Sequence, residues 1–201
     1  MLVELLKKWD REKQRLLFVG DLADRGPDSK SSMELVQQLV STGEAICLTG
    51  NHEQIFLNFL SQPDEVYGNY MINGGAKTIA SLLPHVKQNH SNSTEIADQL
   101  RIQYPDLIAF ISSLPLYYEW HGYLFVHAGV DLSLQDWAET KTKDFYWIRE
   151  PFHQGINNTG KVPKYMSADT IYLNQISLSY FIDNGIDINL FKIYLFIQKS
   201  V

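Results

Sequence analysis

The chain has 201 residues, 17 of them basic and 23 acidic, with a formal net charge of −6. This length suits one core of ordinary size rather than two, and a mixed, net-negative surface argues against nonspecific nucleic-acid binding, which needs a basic face. A single cysteine, Cys47, excludes an intrachain disulfide, and no apolar run approaches the length of a membrane span.

The opening run Met1-Leu2-Val3-Glu4-Leu5-Leu6-Lys7-Lys8 is too short in apolar residues for a signal peptide, and its charges follow the apolar stretch. The expected compartment is therefore the cytoplasm. Leu2, Val3, Leu5, Leu6 and Trp9 recur at helical spacing, so the chain opens inside an amphipathic helix. Leu16-Leu17-Phe18-Val19 is a continuous apolar run stopped by Gly20, the pattern of a strand buried on both faces. Ser29 to Ser32 can cap a helix carrying Met33, Val36, Leu39 and Val40, with Gly43 ending it. A second buried strand is expected at Ala45 to Thr49, which makes a βαβ unit with a right-handed crossover. The next helix starts near Glu53 and buries Ile55, Phe56, Phe59 and Leu60. Further helices are expected from Gly74 to Leu83 and from Asp98 to Tyr104, with His85 to Ser93 a polar loop between them. Pro105 opens another helix that Pro115 closes. Leu116 to Trp120 and Tyr123 to His127 read as strands joined by the two-residue turn His121-Gly122. A short helix near Leu134 to Glu139 follows. The tail from Leu173, rich in Ile, Phe and Tyr, reads as strands with a turn at Asp183-Asn184-Gly185.

Three constellations carry chemistry. Gly20-Asp21-Leu22-Ala23-Asp24-Arg25-Gly26 follows the first buried strand directly, at the sheet edge where open α/β folds bind ligands. Its aspartates can hold hard or borderline cations, and its arginine can clamp phosphate through two parallel hydrogen bonds. Taken alone, a solvated surface turn explains it equally well. Thr49-Gly50-Asn51-His52-Glu53 follows the second strand and opens a helix. An asparagine carbonyl can ligate a metal and a neighbouring histidine can donate a proton; an Asn N-cap is the plainer reading. Phe125-Val126-His127-Ala128-Gly129 ends a third strand on a histidine, which in isolation is most simply satisfied by backbone.

In order and spacing, GDLADRG, GNHE and HAG resemble the phosphoprotein-phosphatase branch of the metallophosphoesterases over roughly Leu2 to Gly160. That branch includes Ser/Thr protein phosphatases, the bacteriophage lambda phosphatase and bacterial symmetrical diadenosine-tetraphosphate hydrolases. The resemblance implies a layered α/β fold of β-sheets flanked by helices, one domain over residues 1–201, family-like over 1–160 and divergent over 161–201. It implies Asp21 as the carboxylate bridging two metals, with Asn51 and His127 ligating the second. His52 would protonate the leaving oxygen, Asp24 would orient His52, and Arg25 would hold the phosphate. Arg149, in Trp147-Ile148-Arg149-Glu150-Pro151-Phe152, would be a second phosphate clamp, or an exposed helix arginine. Asn73-Gly74-Gly75 with Thr78 is similar to bacterial members, as a helix entry near the site. The cofactor implied is Mn²⁺, or an Fe-, Zn- or Ni-type divalent pair whose two ions, about 3.5 Å apart, activate a bridging water.

The family pattern opens with a strand ending in Asp-x-His-Gly, and closes its metal site with a histidine in a Gly-His-Thr turn. Neither stands in this sequence, where Lys164-Tyr165-Met166-Ser167-Ala168-Asp169 occupies the second place and His153 is expected in an exposed loop. The expectation is a form truncated at its N-terminus, with at most one metal of the pair held and an exposed edge or apolar groove where a strand is lost. Two functions remain open: a metal-dependent phosphoesterase acting on a phosphorylated protein or a nucleotide, impaired in this form, or a catalytically silent phosphate-binding regulatory protein or fragment.

Overall fold

A computed structural model of the chain describes residues 14–86, 92–120 and 123–149 without a break, residues 3, 6, 7, 9–12, 152 and 154, and the segments 165–167 and 194–198. The opening helix is represented by Val3 and Leu6, both helical. His153, Asp169, the His121-Gly122 turn and the turn at Asp183 to Gly185 lie outside the described residues. The chain divides into two compact units: Met1–Gly20, Gly43–Gly50 and Pro115–Val201 in the first, Asp21–Thr42 and Asn51–Leu114 in the second.

The first unit holds the strands. β1 (Gln14–Phe18) runs parallel to β2 (Ala45–Cys47), with Leu16 opposite Ala45 and Phe18 opposite Cys47. Leu16, Leu17, Phe18 and Val19 are all buried, as a continuous apolar run on a strand covered on both faces requires. β3 (Tyr117–Trp120) and β4 (Tyr123–Val126) pair antiparallel, Trp120 opposite Tyr123, and β5 (Tyr165–Ser167) adds in parallel to β4. Leu124 and Val126 of β4 pack with Val130 and Phe145, and the Tyr117 ring stacks on Phe145 at 5.6 Å. Instead of the short helix expected at Leu134 to Glu139, a single 3₁₀ turn spans Trp137–Glu139.

The edge expected beside β1 is not open. β6 (Tyr194–Gln198) pairs antiparallel along all five residues of β1, from Gln14 opposite Gln198 to Phe18 opposite Tyr194. The sheet order is β2-β1-β6, so β1 is the central strand. The β-branched and aromatic tail provides the pairing that an unfilled edge lacks.

Just beyond β1 and β2 the backbone closes up. Gly20 has φ 90°, and a Cβ there would stand 2.5 Å from the Gly50 nitrogen. The obstacle is backbone, so no rotamer change relieves it. Gly20→Ala is expected to destabilise the fold by about 2–3 kcal/mol, measured as a lowered thermal midpoint by circular dichroism.

The second unit is helical throughout its described secondary structure: α1 (Ser29–Ser41), α2 (Asn51–Ser61), α3 (Pro63–Ile72), α4 (Gly75–Leu82), α5 (Ser93–Gln103) and α6 (Pro105–Ser112). α2 packs against α3, α5 and α6, and α4 against α1 and α3. Ile55, Phe56, Phe59 and Leu60 of α2 are buried as expected, with Phe59 stacked on Tyr70 of α3 at 4.8 Å.

Three boundaries differ from expectation. The α1 cap is Asp28, not the serines after it; its carboxylate accepts the Ser31 N–H at 3.0 Å, and the bonds from Ser31 hold that carboxyl below its usual range. A carboxylate is a stronger partner than a hydroxyl for the partial positive charge of a helix start. α5 begins at Ser93, five residues before Asp98, because the Asn92 side chain accepts the Glu95 N–H at 2.7 Å. α3 was not anticipated as a separate helix; it starts at Pro63 with Asp64 and Glu65 in its first turn and buries Tyr70.

Candidate functional site

The loop after β1 enters the second unit in a strained conformation. Asp21 has φ 61° and Asp24 φ 73°, both left-handed without being glycine. Such a conformation persists only where surrounding groups over-determine it, and two sets of hydrogen bonds do so here.

Glu53, in the first turn of α2, is fully buried. Its two carboxylate oxygens accept the N–H groups of Asp21 and Leu22, each at 2.7 Å. These charge-assisted bonds clamp the loop onto the start of α2, where a negative side chain is also favoured by the helix dipole. In the sequence Glu53 is simply the last residue of GNHE, and its residue type alone assigns it no role. The available signal was an acid at the third residue of a helix that follows a strand directly.

Asp24 and His52 form a buried pair. The Asp24 Oδ2 lies 2.8 Å from His52 Nδ1, and the Arg25 Nε–H donates to His52 Nε2 at 3.2 Å. This arrangement places the ring proton on Nδ1 and the lone pair on Nε2. Burial alone would lower the imidazole's pKa, but the Asp24 hydrogen bond and the charges of Asp21 and Asp24 outweigh it and leave His52 above its ordinary value. A carboxylate that fixes a histidine's tautomer and favours its protonated form suits it to donate a proton from Nε2.

Asp21 is drawn to the same helix start. Its Oδ1 accepts the His52 N–H at 3.3 Å, and Asn51 is the first residue of α2. Within the second unit the chain thus brings together Asp21, Asp24, Arg25, Asn51 and His52 around one loop and one helix N-terminus. Arg25 is exposed at this position.

His127 and Arg149 belong to the first unit. His127, immediately after β4, is buried, with Nδ1 2.6 Å from the Val19 carbonyl oxygen. That bond takes the Nδ1 proton and leaves the lone pair on Nε2, the tautomer a metal ligand needs. Arg149 is exposed and lies just past a short helix, α7 (Asp144–Trp147), rather than on it.

Among the described residues, no group of three or more His, Cys, Asp or Glu is gathered as a metal site. The expected ligand set contains only two of those residue types, Asp21 and His127, beside the amide of Asn51. Carboxylate and amide oxygens with one imidazole suit a hard or borderline divalent cation.

The calcineurin-like phosphoesterase (Metallophos) signature matches residues 1–191. Over 129 residues the chain is 30% identical to the symmetrical bis(5'-nucleosyl)-tetraphosphatase of Methylococcus capsulatus, covering 64% of this chain and 37% of that protein. It is 41% identical over 54 residues to the asymmetrical bis(5'-nucleosyl)-tetraphosphatase of Anoxybacillus flavithermus, covering 26% of this chain and 22% of that one. A match to the symmetrical enzyme of Nitrosospira multiformis is 44% identical over 48 residues, covering 24% and 17%. The chain thus spans well under half the length of these curated relatives. With the family signature running along nearly its whole length, the chain belongs to the calcineurin-like phosphoesterases.

Proposed function

We propose that this chain is a metal-dependent phosphoesterase with a nucleotide substrate of the dinucleoside-polyphosphate kind. The observation that carries the reading is the Asp24–His52–Arg25 array: a tautomer-fixed imidazole beside a guanidinium, at a helix start that favours anions. Arg25 would hold a phosphoryl oxygen, with Arg149 as a second clamp. His52 would protonate the leaving oxygen from Nε2 once substrate draws Arg25 away, and Asp24 would keep the ring in register. Asp21, Asn51 and His127 would hold a divalent cation of the Mn²⁺ type. Bound there, it would supply a more acidic water and neutralise phosphoryl charge. The relatives' names favour a nucleotide over a phosphoprotein.

A second reading, phosphate binding without turnover, is favoured by Lys164-Tyr165-Met166-Ser167-Ala168-Asp169, which carries no histidine where the family pattern has its Gly-His-Thr turn. Calorimetric titration with Mn²⁺ is expected to show about one site per chain. Hydrolysis of diadenosine tetraphosphate and p-nitrophenyl phosphate, with and without Mn²⁺, tests the main reading. Mn²⁺-dependent hydrolysis that Asp21→Asn abolishes supports it. Phosphate binding without hydrolysis establishes the silent reading instead, and absence of both removes the site.

A further inference from the structure

We infer that Thr78 is a positioning residue that sets the carboxylate of Asp24 and, through it, the imidazole of His52. The inference rests on the reading of His52 as the proton donor. It adds a residue from a different helix, α4, to which no role in the chemistry has been given.

Thr78 is fully buried, and its hydroxyl bonds twice to one residue. It donates to Asp24 Oδ1 at 2.6 Å and accepts the Asp24 N–H at 2.9 Å. The first bond takes one carboxylate oxygen, leaving Oδ2 for His52 Nδ1 at 2.8 Å. A carboxylate bound at one oxygen only can rotate about Cβ–Cγ; bound at both, its plane is fixed. The second bond holds the backbone of a residue at φ 73°. Ser29 completes the set: its hydroxyl lies 3.2 Å from the same N–H and 3.1 Å from the Thr78 hydroxyl.

The corner before α4 is shaped to allow this approach. Gly74 has φ 104°, and a Cβ there would lie 2.7 Å from the Asp24 carbonyl oxygen. Any other residue would hold α4 away from the loop. The Tyr70 phenol also lies beside this pair; burial first, and then the Asp24 charge, push it well above its ordinary pKa, so it stays neutral.

A threonine that merely filled the core would tolerate valine, its near-isostere without the hydroxyl. Thr78→Val removes the donor to Oδ1 and the acceptor for the Asp24 N–H, whereas Thr78→Ser keeps both. The first measurement needs no turnover: the Nδ1-bound proton of His52, followed by NMR of the ¹⁵N-labelled chain. A downfield, exchange-protected signal is expected in the parent and in Thr78→Ser, and its loss in Thr78→Val, with the helical circular dichroism retained. Should Thr78→Val not fold, Thr78→Ala carries the same test without crowding the core. In the Mn²⁺ assay, Thr78→Val should lower kcat about 10- to 100-fold with KM within about twofold, and Thr78→Ser should recover most of it. An unchanged His52 signal in Thr78→Val overturns the inference, whatever the turnover. A lost signal in a chain whose parent shows no hydrolysis supports Thr78 as the holder of the pair and removes the reading of His52 as an acid.

Discussion

His52→Ala should lower turnover by about 10²- to 10⁴-fold, the range lost when a positioned general acid is removed. The imidazole is buried, its Nδ1 is committed to Asp24, and its Nε2 lies beside Arg25. Alanine removes the proton source and the Nε2 acceptor of Arg25 but leaves Asp21, Asn51 and the guanidinium charge. Inhibition by inorganic phosphate should therefore change by less than about threefold, so that the loss falls on kcat rather than on binding. The decisive comparison is between leaving groups. An alkoxide needs a proton as it departs, whereas p-nitrophenolate and the phosphate end of a nucleotide leave readily as anions, so the loss on an alkyl phosphate should exceed that on p-nitrophenyl phosphate. Equal losses on both would mean that His52 serves metal or phosphate binding rather than proton transfer.

Glu53→Gln should have the largest effect on stability, about 3–5 kcal/mol. Both oxygens of the Glu53 carboxylate are in use, on the N–H groups of Asp21 and Leu22. Glutamine keeps one acceptor and turns an NH₂ toward the other N–H, donor against donor, in a site without solvent. At roughly 2–4 °C per kcal/mol for a chain of this size, the thermal midpoint should fall by about 6–20 °C. Phosphate affinity should fall with it, because Arg25 hangs from the same loop. A midpoint within about 2 °C of the parent would show that the loop holds its shape without the carboxylate.

The strands were legible because each is a continuous apolar run that stops at a polar motif: Leu16 to Val19, Ala45 to Leu48 and Tyr123 to Val126. The helices were legible where an apolar stripe recurs, as in α1 and α2. α3 was harder to read, since Pro63 to Ile72 mixes Gly68, Asn69 and exposed Ile72 with a single fully buried side chain, Tyr70. The pairing of β6 with β1 joins residues nearly 180 positions apart, and no local pattern announces such a partner. At the site, motif spacing singled out Asp21, Asp24, Arg25, Asn51 and His52. It did not reveal what holds them, because Glu53 and Thr78 act by reaching backbone N–H groups and a carboxylate on the loop after β1, which is a matter of geometry rather than of residue type.

Asp21 sits at φ 61°, where glycine or asparagine would be easier on the backbone, glycine by about 1 kcal/mol. Folding by itself does not require a carboxylate there, since an asparagine oxygen can accept the His52 N–H as well. A library screened only for heat resistance has every reason to leave aspartate behind at this position, and one screened for phosphate chemistry has reason to keep it. Residue 21 is therefore a place where stabilising the protein and preserving its chemistry call for different amino acids.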